Sequence, residues 1–427
     1  MNKTLGNLFK GDKVIWMVFF FLCIISVVEV YSASSQLTYK GGNYMAPVIK
    51  HIGILLLGIA AMSVTLNVKC KYFKILTPFL LIMSILMLIW ALVGGHDAND
   101  ASRWVGFMGM KFQPSEIAKG TLVLATAQIL SAMQTEKGAD KNAFKYILIV
   151  CACIVPLIFF ENFSTAALIC AVIFMMMIIG RVPMQQLGKL LGVVVLAAVL
   201  ALGMIWFLGN STEAQDSKTL TETSASAKDE KPSKLAKVFH RFGTWKARIE
   251  KFSDNKYISP ENVDLDKDGQ VAYANIAIAS SNVLGKGPGN SVERDFLSQA
   301  FSDFIYAIII EEMGIIGAVA VAFLYIVLLF RTGRIANRCE NNFPAFLAMG
   351  LALLLVTQAL FNMCVAVGLA PVTGQPLPLI SKGGTSTVIN CIYVGVILSI
   401  SRTAKKKSED RYEMPIPAKS AAGKLND

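Results

Sequence analysis

The sequence predicts an all-α integral membrane protein with about ten transmembrane helices and one large extracytoplasmic loop between helices 7 and 8. Hydrophobic residues make up 54% of the 427 residues and charged residues only 16%, whereas an ordinary soluble domain has about 25% charged residues. The apolar residues form long runs of membrane-spanning length. Basic residues are concentrated between those runs, on one side. This composition argues against a soluble globular enzyme, and it excludes a disordered or collagen-like chain and a disulfide scaffold.

A bilayer core requires about 20 apolar residues per helix, and ten segments of the chain are candidates. The first follows Lys3, Lys10 and Lys13, as a signal peptide would, but nine more spans follow it. We therefore expect an uncleaved first helix. The predicted spans lie near residues 14–35, 50–67, 74–94, 115–134, 145–160, 163–180, 188–208, 304–330, 343–366 and 383–401.

The distribution of Lys and Arg predicts that both termini are cytoplasmic. With the N-terminus inside, the inside segments contain 21 basic residues and the short outside segments contain 5. The net charge of +11 is therefore attributed to cytoplasmic loops, and no nucleic-acid binding is expected.

The predicted organisation is a cytoplasmic N-terminus, transmembrane helices 1–7, a large extracytoplasmic loop, transmembrane helices 8–10 and a basic cytoplasmic tail. Residues 210–234 of the loop are rich in Ser, Thr, Lys and Glu and contain no aromatic residue, which is typical of a disordered insert. Aromatic residues return from Phe239 onward, so this later part is expected to pack at the outer interface. The five regions are, in order, 1–13, 14–208, 209–303, 304–401 and 402–427.

Charged residues inside membrane spans are costly and point to function. Glu116 and Lys119 lie one helical turn apart in span four, where they can pair. A structural ion pair that fixes helix packing and a direct catalytic role both remain open. Glu311 and Glu312 are adjacent in span eight, so at least one must face a cavity or a cation. Glu29 lies near the outer end of span one, where we expect it to be hydrated.

Asp303 lies where the polar loop becomes an apolar helix. A helix N-cap would explain an Asp at this point, and so would a partly desolvated general base at the outer membrane surface. Upstream, GKGPGN at 285–290 lacks the final GK[ST] of a Walker loop and predicts a flexible turn. Three prolines and four glycines in 368–386 predict a tightly folded or re-entrant segment that lies beside a cavity.

Several ordered motifs together resemble the SEDS proteins (shape, elongation, division and sporulation), the FtsW/RodA group, over nearly the whole chain. SRWVGFMGMKFQPSEIAK is similar to the family signature RW…FQPSE..K, and SDFIYAIIIEEMG is similar to TDFIFA…EELG. QALFNMCVAVGLAPVTGQPLPLISKGGTS is close to the C-terminal signature of the family. The resemblance makes residues in these motifs candidates for substrate binding: Arg103, Trp104, Gln113, Glu116, Lys119, Ser381 and Lys382.

The resemblance implies a peptidoglycan glycosyltransferase of the bacterial cytoplasmic (inner) membrane, with the division branch as the most similar. It implies that lipid II is polymerised at the outer face, beside a class B penicillin-binding transpeptidase and other cell-division membrane proteins. The essential loop aspartate of the family corresponds to Asp303. The chain departs from the family pattern at five positions, where the family has Pro, Glu, His, Asp and Tyr: Ser298, Gln299, Phe301, Asn162 and Lys382.

Such a transfer needs a base for the C4 hydroxyl of the acceptor sugar and cations for the departing pyrophosphate. Asp303 fits the base of a single, inverting displacement. A bound divalent cation, magnesium or manganese, is an alternative to some of the basic side chains, but no structural metal is expected, because the three histidines are scattered and no HExxH motif is present. The cationic candidates are Arg103, Arg248, Lys286, Arg294 and Lys382.

Two other functions are consistent with the sequence. Ten spans, a broken helix and acidic residues inside the membrane are also features of transporters, so a lipid II flippase or another transporter is the second possibility. No internal repeat is visible, however, and the acids of interest lie at one face rather than at the midplane. A noncatalytic scaffold of the division machinery is the third possibility, because of the departures around Asp303.

Overall fold

The computed structural model describes residues 10–33, 45–94, 96–98, 101–107, 110–196, 203, 265–297 and 300–412. Most of these residues are helical, which confirms the predicted fold class. Arg248, the predicted disordered insert 210–234, Ser298 and Gln299 lie outside the described residues. The helices are α1 (Lys13–Ala33), α2 (Met45–Asn67), α3 (Cys70–Gly94), α4 (Pro114–Ala132), α5 (Lys141–Glu161), α6 (Phe163–Ile179), α7 (Met184–Leu196), α8 (Leu265–Ala279), α9 (Ile305–Ala336), α10 (Asn342–Ala366) and α11 (Thr385–Tyr412).

Seven helices in the described part of the chain are long and apolar enough to cross a membrane: α1, α2, α3, α5, α9, α10 and α11. Helices α6 and α7 are apolar but shorter, and α4 has 19 residues. Each of the ten predicted spans overlaps one of these ten helices. The chain is therefore a multi-pass membrane protein, while the number of ten crossings stays a prediction.

Helix α4 lies at the centre of the bundle and packs against α3, α5, α6 and α10. Thirteen of its 19 residues are buried, as expected of a helix enclosed by other helices. Around this centre, α2 packs along α11, and α9 packs against α1 and α10. Helix α3, in contrast, exposes large apolar side chains such as Phe79, Leu86 and Trp90, as expected of a face in contact with lipid.

The segment between α3 and α4 contains short strands that the sequence analysis did not predict. Strands β1 (His96–Ala98), β2 (Ala101–Phe107) and β3 (Met110–Phe112) form an antiparallel sheet in the order β1-β2-β3. A second, two-stranded sheet joins β4 (Gln134–Thr135) and β5 (Gly138–Ala139) between α4 and α5. These strands are two to seven residues long, and such short elements leave no signal in a search for membrane-length apolar runs.

Helix α9 is not the single rod that the apolar run 304–330 predicts. Its backbone breaks at Gly314, where φ is 68° and ψ is −171°, a conformation that is essentially restricted to glycine. The residues 305–313 therefore form a short helical segment of their own before the longer segment 315–336. At this break, the glycine-rich loop 285–291 lies against α9, next to the carboxylates of Glu311 and Glu312.

Asn162, one of the departures from the family pattern, has a local structural role. It is the N-cap of α6, and its side-chain oxygen accepts a hydrogen bond from the Ser164 backbone N–H at 3.1 Å. Asn and Asp are about equally effective N-caps, so the departure preserves the start of the helix.

Candidate active site

Asp303 lies immediately before the start of α9, and its carboxylate does not occupy the N-cap position. The helix begins at Ile305, and its N-cap is Phe304, which provides no side-chain cap. Asp303 is partly exposed, and its Oδ1 accepts a hydrogen bond from Ser302 Oγ at 2.9 Å. Of the two explanations that the sequence allows for Asp303, helix capping is thus the one that the structure does not favour.

The backbone that carries Asp303 is held at three consecutive carbonyl groups. The Lys382 N–H donates to the Phe301 carbonyl at 2.9 Å, and Ser381 Oγ donates to the Ser302 carbonyl at 2.7 Å. Asn362 Nδ2 donates to the Asp303 carbonyl itself at 2.9 Å. The C-terminal signature therefore lies directly against the aspartate, although some 60 to 80 residues separate them.

The linker between α10 and α11 is irregular and tightly folded, as predicted. Leu377, Leu379 and Ile380 are buried, and the Leu377 N–H donates to Ser381 Oγ at 2.8 Å. Leu379 adopts a φ of 67°, which is strained for a residue with a branched side chain. Ser381 Oγ, which accepts from the Leu377 N–H and donates to the Ser302 carbonyl, connects the two sides of this turn to the segment that carries Asp303.

Glu116 and Lys119 form the predicted ion pair, with Lys119 Nζ 2.8 Å from Glu116 Oε1. Both side chains are buried at the centre of the bundle. Lys119 also donates to Gln358 Oε1 at 2.7 Å, and Gln358 Nε2 donates to the Pro376 carbonyl at 3.0 Å. The pair thus connects α4 to the same linker that holds Asp303, which supports the structural explanation that the sequence left open.

Lys119→Met is expected to lower the free energy of unfolding by about 3–5 kcal/mol, because it leaves the buried Glu116 carboxylate without its counter-charge. The measurement is thermal unfolding of the purified protein in detergent. The double variant Glu116→Gln/Lys119→Met is the control and is expected to recover much of the loss, since it removes both charges. A single variant as stable as the wild type would contradict the assignment.

The glycine-rich loop at 285–291 binds the two adjacent carboxylates of α9, and the prediction of a flexible turn was wrong. Lys286 Nζ lies 2.7 Å from Glu311 Oε1, and Ser291 Oγ also donates to Glu311. Glu312 accepts hydrogen bonds from the backbone N–H groups of Gly289 at 2.9 Å and Ser291 at 3.2 Å. The expectation that at least one of these acids faces a cation is confirmed.

Arg294 and Ser32 extend this cluster toward α1. Arg294 Nη1 lies 3.9 Å from Glu312 Oε1 and donates to Ser32 Oγ at 2.8 Å, while Ser32 itself donates to Glu312. Lys286 and Arg294, two of the cations predicted to bind pyrophosphate, are therefore both engaged by internal carboxylates. Their positive charge is already largely balanced within the protein.

The loop reaches α9 through two glycines that face each other. Gly285 (φ 74°) and Gly314 (φ 68°) both have left-handed backbone conformations. A Cβ on Gly314 would lie 2.3 Å from the Val283 carbonyl oxygen, and one on Gly285 would lie 2.2 Å from the Glu312 carbonyl oxygen. Glycine allows the backbones to approach this closely, and the Lys286 and Gly287 N–H groups then bind the Glu311 and Glu312 carbonyls at 2.9 and 2.8 Å.

The expectation that Glu29 is hydrated was wrong. Its side chain is fully buried, and neither carboxylate oxygen accepts a hydrogen bond from the part of the chain that the structure describes. Position along a helix indicates depth in the membrane, but not whether the neighbouring helices cover the residue. Here α2 and α9 pack against α1.

Unlike Lys286 and Arg294, Lys382 forms no ion pair with a carboxylate among the described residues. Its ammonium lies 5.0 Å from the centre of the Phe301 ring, two residues from Asp303. Burial lowers the pKa of Lys382 below its ordinary value, and the positive charge of Lys50 lowers it further. Lys382 is therefore a partly buried cation whose side chain lies over Phe301, in the segment that carries Asp303.

The remaining predicted site residues lie between α3 and the start of α4. Arg103 and Trp104 are in β2, where Trp104 is in register with His96 of β1. Gln113 is the N-cap residue of α4, although its side chain makes no capping hydrogen bond.

Sequence reasoning missed Asn362, Gln375 and Thr165. Gln375 Nε2 donates to Thr165 Oγ1 at 2.7 Å, and the Gln375 carbonyl accepts from Asn362. A buried amide inside the apolar run of α10 was the available signal, because polar groups in membrane spans generally need a partner. No group of three or more His, Cys, Asp or Glu side chains that could hold a metal occurs within the described ranges.

Comparison with known proteins identifies the family. The family model described as "Cell cycle protein", which groups FtsW, RodA and SpoVE, matches residues 12–406. The chain belongs to this family. This confirms the resemblance that the motifs indicate.

Relatives in the FtsW/RodA/SpoVE family match over almost their full length. The chain is 28% identical over 408 residues to a protein of Geobacter metallireducens named "Probable peptidoglycan glycosyltransferase FtsW", covering 94% of this chain and 97% of the relative. It is 25% identical over 415 residues to a protein of the same name from Enterococcus hirae, covering 94% and 96%.

Two solved structures have the same fold as this chain. A chain from a study of polymerization and crosslinking by a peptidoglycan synthase complex aligns with a TM-score of 0.67 and 21% identity, covering 92% of this chain and 98% of that chain. RodA of Thermus thermophilus, a rod shape determining protein, aligns with a TM-score of 0.58 and 20% identity, covering 93% and 98%.

Proposed function

We propose that this protein is a peptidoglycan glycosyltransferase that polymerises lipid II during cell division, at the outer face of the cytoplasmic membrane. The relatives that match over nearly their whole length carry the name of this activity. The basic residues of the short loops support a topology with both termini in the cytoplasm, and this topology leaves Asp303 on the outer face.

The observation that carries the catalytic proposal is the position of Asp303. It is partly exposed, it is not the cap of α9, and three hydrogen bonds hold the backbone of residues 301–303. A carboxylate held in this way is suited to act as a general base.

In the proposed reaction, the oxygen of the acceptor C4 hydroxyl attacks the anomeric carbon of the donor sugar. The bond from that carbon to the pyrophosphate oxygen breaks, undecaprenyl pyrophosphate leaves, and the hydroxyl proton passes to the Asp303 carboxylate. Because this is a single displacement, the configuration of the anomeric carbon is inverted.

Lys382 is the first choice for a cation against the departing pyrophosphate, since Lys286 and Arg294 are engaged by Glu311 and Glu312. Arg103 and Arg248 remain further candidates, and Trp104, Gln113 and Ser381 remain candidates for contacts with the rest of the substrate. Arginine would offer two parallel hydrogen bonds to a phosphate, whereas Lys382 would act as a point charge.

Lys382→Ala is expected to raise the KM for lipid II about tenfold, because it removes a charge-assisted contact with the pyrophosphate. In the wild type, KM should rise as the pH increases through the lowered pKa of Lys382, since the amine then loses its charge. Lys382→Arg is the matched control and should move this alkaline limb to higher pH. An unchanged KM in Lys382→Ala would remove Lys382 from the site.

A class B penicillin-binding transpeptidase is the proposed partner, together with other cell-division membrane proteins. The similar structure that comes from a synthase complex, in which polymerization and crosslinking are coordinated, supports a partner of this kind. Glycan strands made by one enzyme are the substrate that a crosslinking enzyme consumes.

The test uses purified protein and fluorescent lipid II, with and without the transpeptidase that is encoded beside it or co-purifies with it. Glycan polymers resolved on a gel are the expected result. Movement of lipid II across a liposome membrane with no polymer formed would favour a transporter instead. Absence of both activities, in protein that still binds the transpeptidase, would favour a scaffold.

A further inference from the structure

We infer that Asn362, near the end of α10, is a positioning residue that holds the catalytic backbone at Asp303. Its side-chain Nδ2 donates a hydrogen bond to the Asp303 carbonyl at 2.9 Å. This inference rests on the proposed role of Asp303 as the general base. Asn362 does not touch the reacting atoms; it acts through the backbone of the residue that does.

The amide of Asn362 is oriented for donation on both of its hydrogens. Nδ2 lies 2.9 Å from the Asp303 carbonyl oxygen and 2.7 Å from the Gln375 carbonyl oxygen. The side chain is buried, and its Oδ1 accepts no hydrogen bond in the described part of the chain. A buried acceptor without a partner costs about 1–3 kcal/mol. The two hydrogen bonds donated by Nδ2 are therefore formed although Oδ1 is left without a hydrogen bond.

Asn362 is itself fixed from two directions. It is part of α10, which packs against the central helix α4. Gln375, whose carbonyl it binds, is anchored in turn by its own side chain, which donates to Thr165 of α6 at 2.7 Å. The position of Asp303 is therefore fixed by its connection to two helices of the bundle, α10 and α6, and not only by the loop that precedes it.

Such an anchor is needed because the segment before Asp303 is a loop. The carbonyl groups of Ser302 and Phe301 are bound by Ser381 and Lys382 of the irregular linker, whereas Asn362 belongs to a regular helix. A base displaced by about 1 Å from its productive position can lose about 10²-fold in rate. Asn362 therefore affects the rate of the chemical step and not the binding of lipid II.

The test compares Asn362→Leu with Ser26→Ala in steady-state polymerisation of fluorescent lipid II by the protein with its transpeptidase. Ser26 is a matched control because it is also buried and donates to the same linker, at the Ile380 carbonyl at 2.6 Å, but does not bind residues 301–303. For Asn362→Leu we expect kcat to fall about 10- to 100-fold, with KM changed less than threefold. For Ser26→Ala we expect both constants within about threefold of the wild type.

A second comparison separates positioning from general destabilisation. Asp303→Glu moves the carboxylate by one methylene and is expected to reduce kcat on its own. If Asn362 positions Asp303, the double variant Asn362→Leu/Asp303→Glu should lose less than the product of the two single losses, because neighbouring sites that share a function are not additive. Independent, multiplicative losses would overturn the inference.

The possible failures are distinguishable. If Asp303→Asn is inactive and Asn362→Leu retains the kcat of the wild type, the inference about Asn362 fails and the proposed function stands. If Asn362→Leu and Ser26→Ala lose kcat equally, Asn362 is only a structural residue of the linker. If Asp303→Asn polymerises lipid II as well as the wild type, the proposed base and its positioning residue both fail.

Discussion

Asp303→Asn is expected to reduce the polymerisation of lipid II by about 10²- to 10⁴-fold, the usual contribution of a general base. An amide has nearly the size of the carboxyl group but cannot take the proton of the acceptor hydroxyl at neutral pH. Ser302 Oγ, which donates to Asp303 Oδ1, can donate to the amide oxygen as well. The fold should therefore be retained while the reaction is lost.

The measurement is the amount of glycan polymer formed by the purified variant with its transpeptidase partner. Glu293→Gln is the matched control, because it makes the same carboxyl-to-amide change ten residues earlier in the segment that precedes α9. It is expected to change the rate less than twofold. Undiminished polymerisation by Asp303→Asn would remove Asp303 from the mechanism.

Gly314→Ala is expected to detach the glycine-rich loop from α9 and to reduce polymerisation at least tenfold. The backbone at Gly314 has a conformation that costs other residues about 1–3 kcal/mol. In addition, the new Cβ would lie 2.3 Å from the Val283 carbonyl oxygen and 2.5 Å from the Gly285 nitrogen. Since both contacts are with backbone atoms, either the loop or the break in α9 must move.

Limited proteolysis at residues 280–297 is the direct measurement, and faster cleavage is the expected result. Gly333→Ala is the control: Gly333 lies in the same helix, and a Cβ there would meet nothing within 4 Å. Because Ala is favoured over Gly inside a helix by about 1 kcal/mol, this control should be as stable as the wild type or more so. Equal cleavage of both variants would contradict the role assigned to Gly314.

The Gly314 variant also tests how the buried charges are balanced. With the loop displaced, Lys286 and Arg294 would leave Glu311 and Glu312, and two buried carboxylates would lose their cations. Removing one partner of a buried ion pair costs about 3–5 kcal/mol. The loop and the two acids therefore form one cooperative unit.

The sequence by itself determined the class of the molecule. Apolar runs of about 20 residues predict helices that cross a membrane, because a helix pairs its own backbone N–H and C=O groups where no water is present. The pairing of Glu116 with Lys119 follows from their spacing of three residues on one helix. The ordered motifs indicated the family, and they identified Asp303 without any knowledge of its surroundings. All of these properties are local in the sequence or depend on composition.

The tertiary structure decided how the site is held together. The contacts of Asp303 with Asn362 and of Ser302 with Ser381 join residues 59 and 79 positions apart, and no helical or apolar periodicity specifies such pairs. The same holds for the glycine-rich loop and for the burial of Glu29. Their environment depends on which helices become neighbours. A hydrogen bond between two elements, or the burial of a carboxylate, is decided by the residues of the neighbouring element and not by the sequence of one element alone.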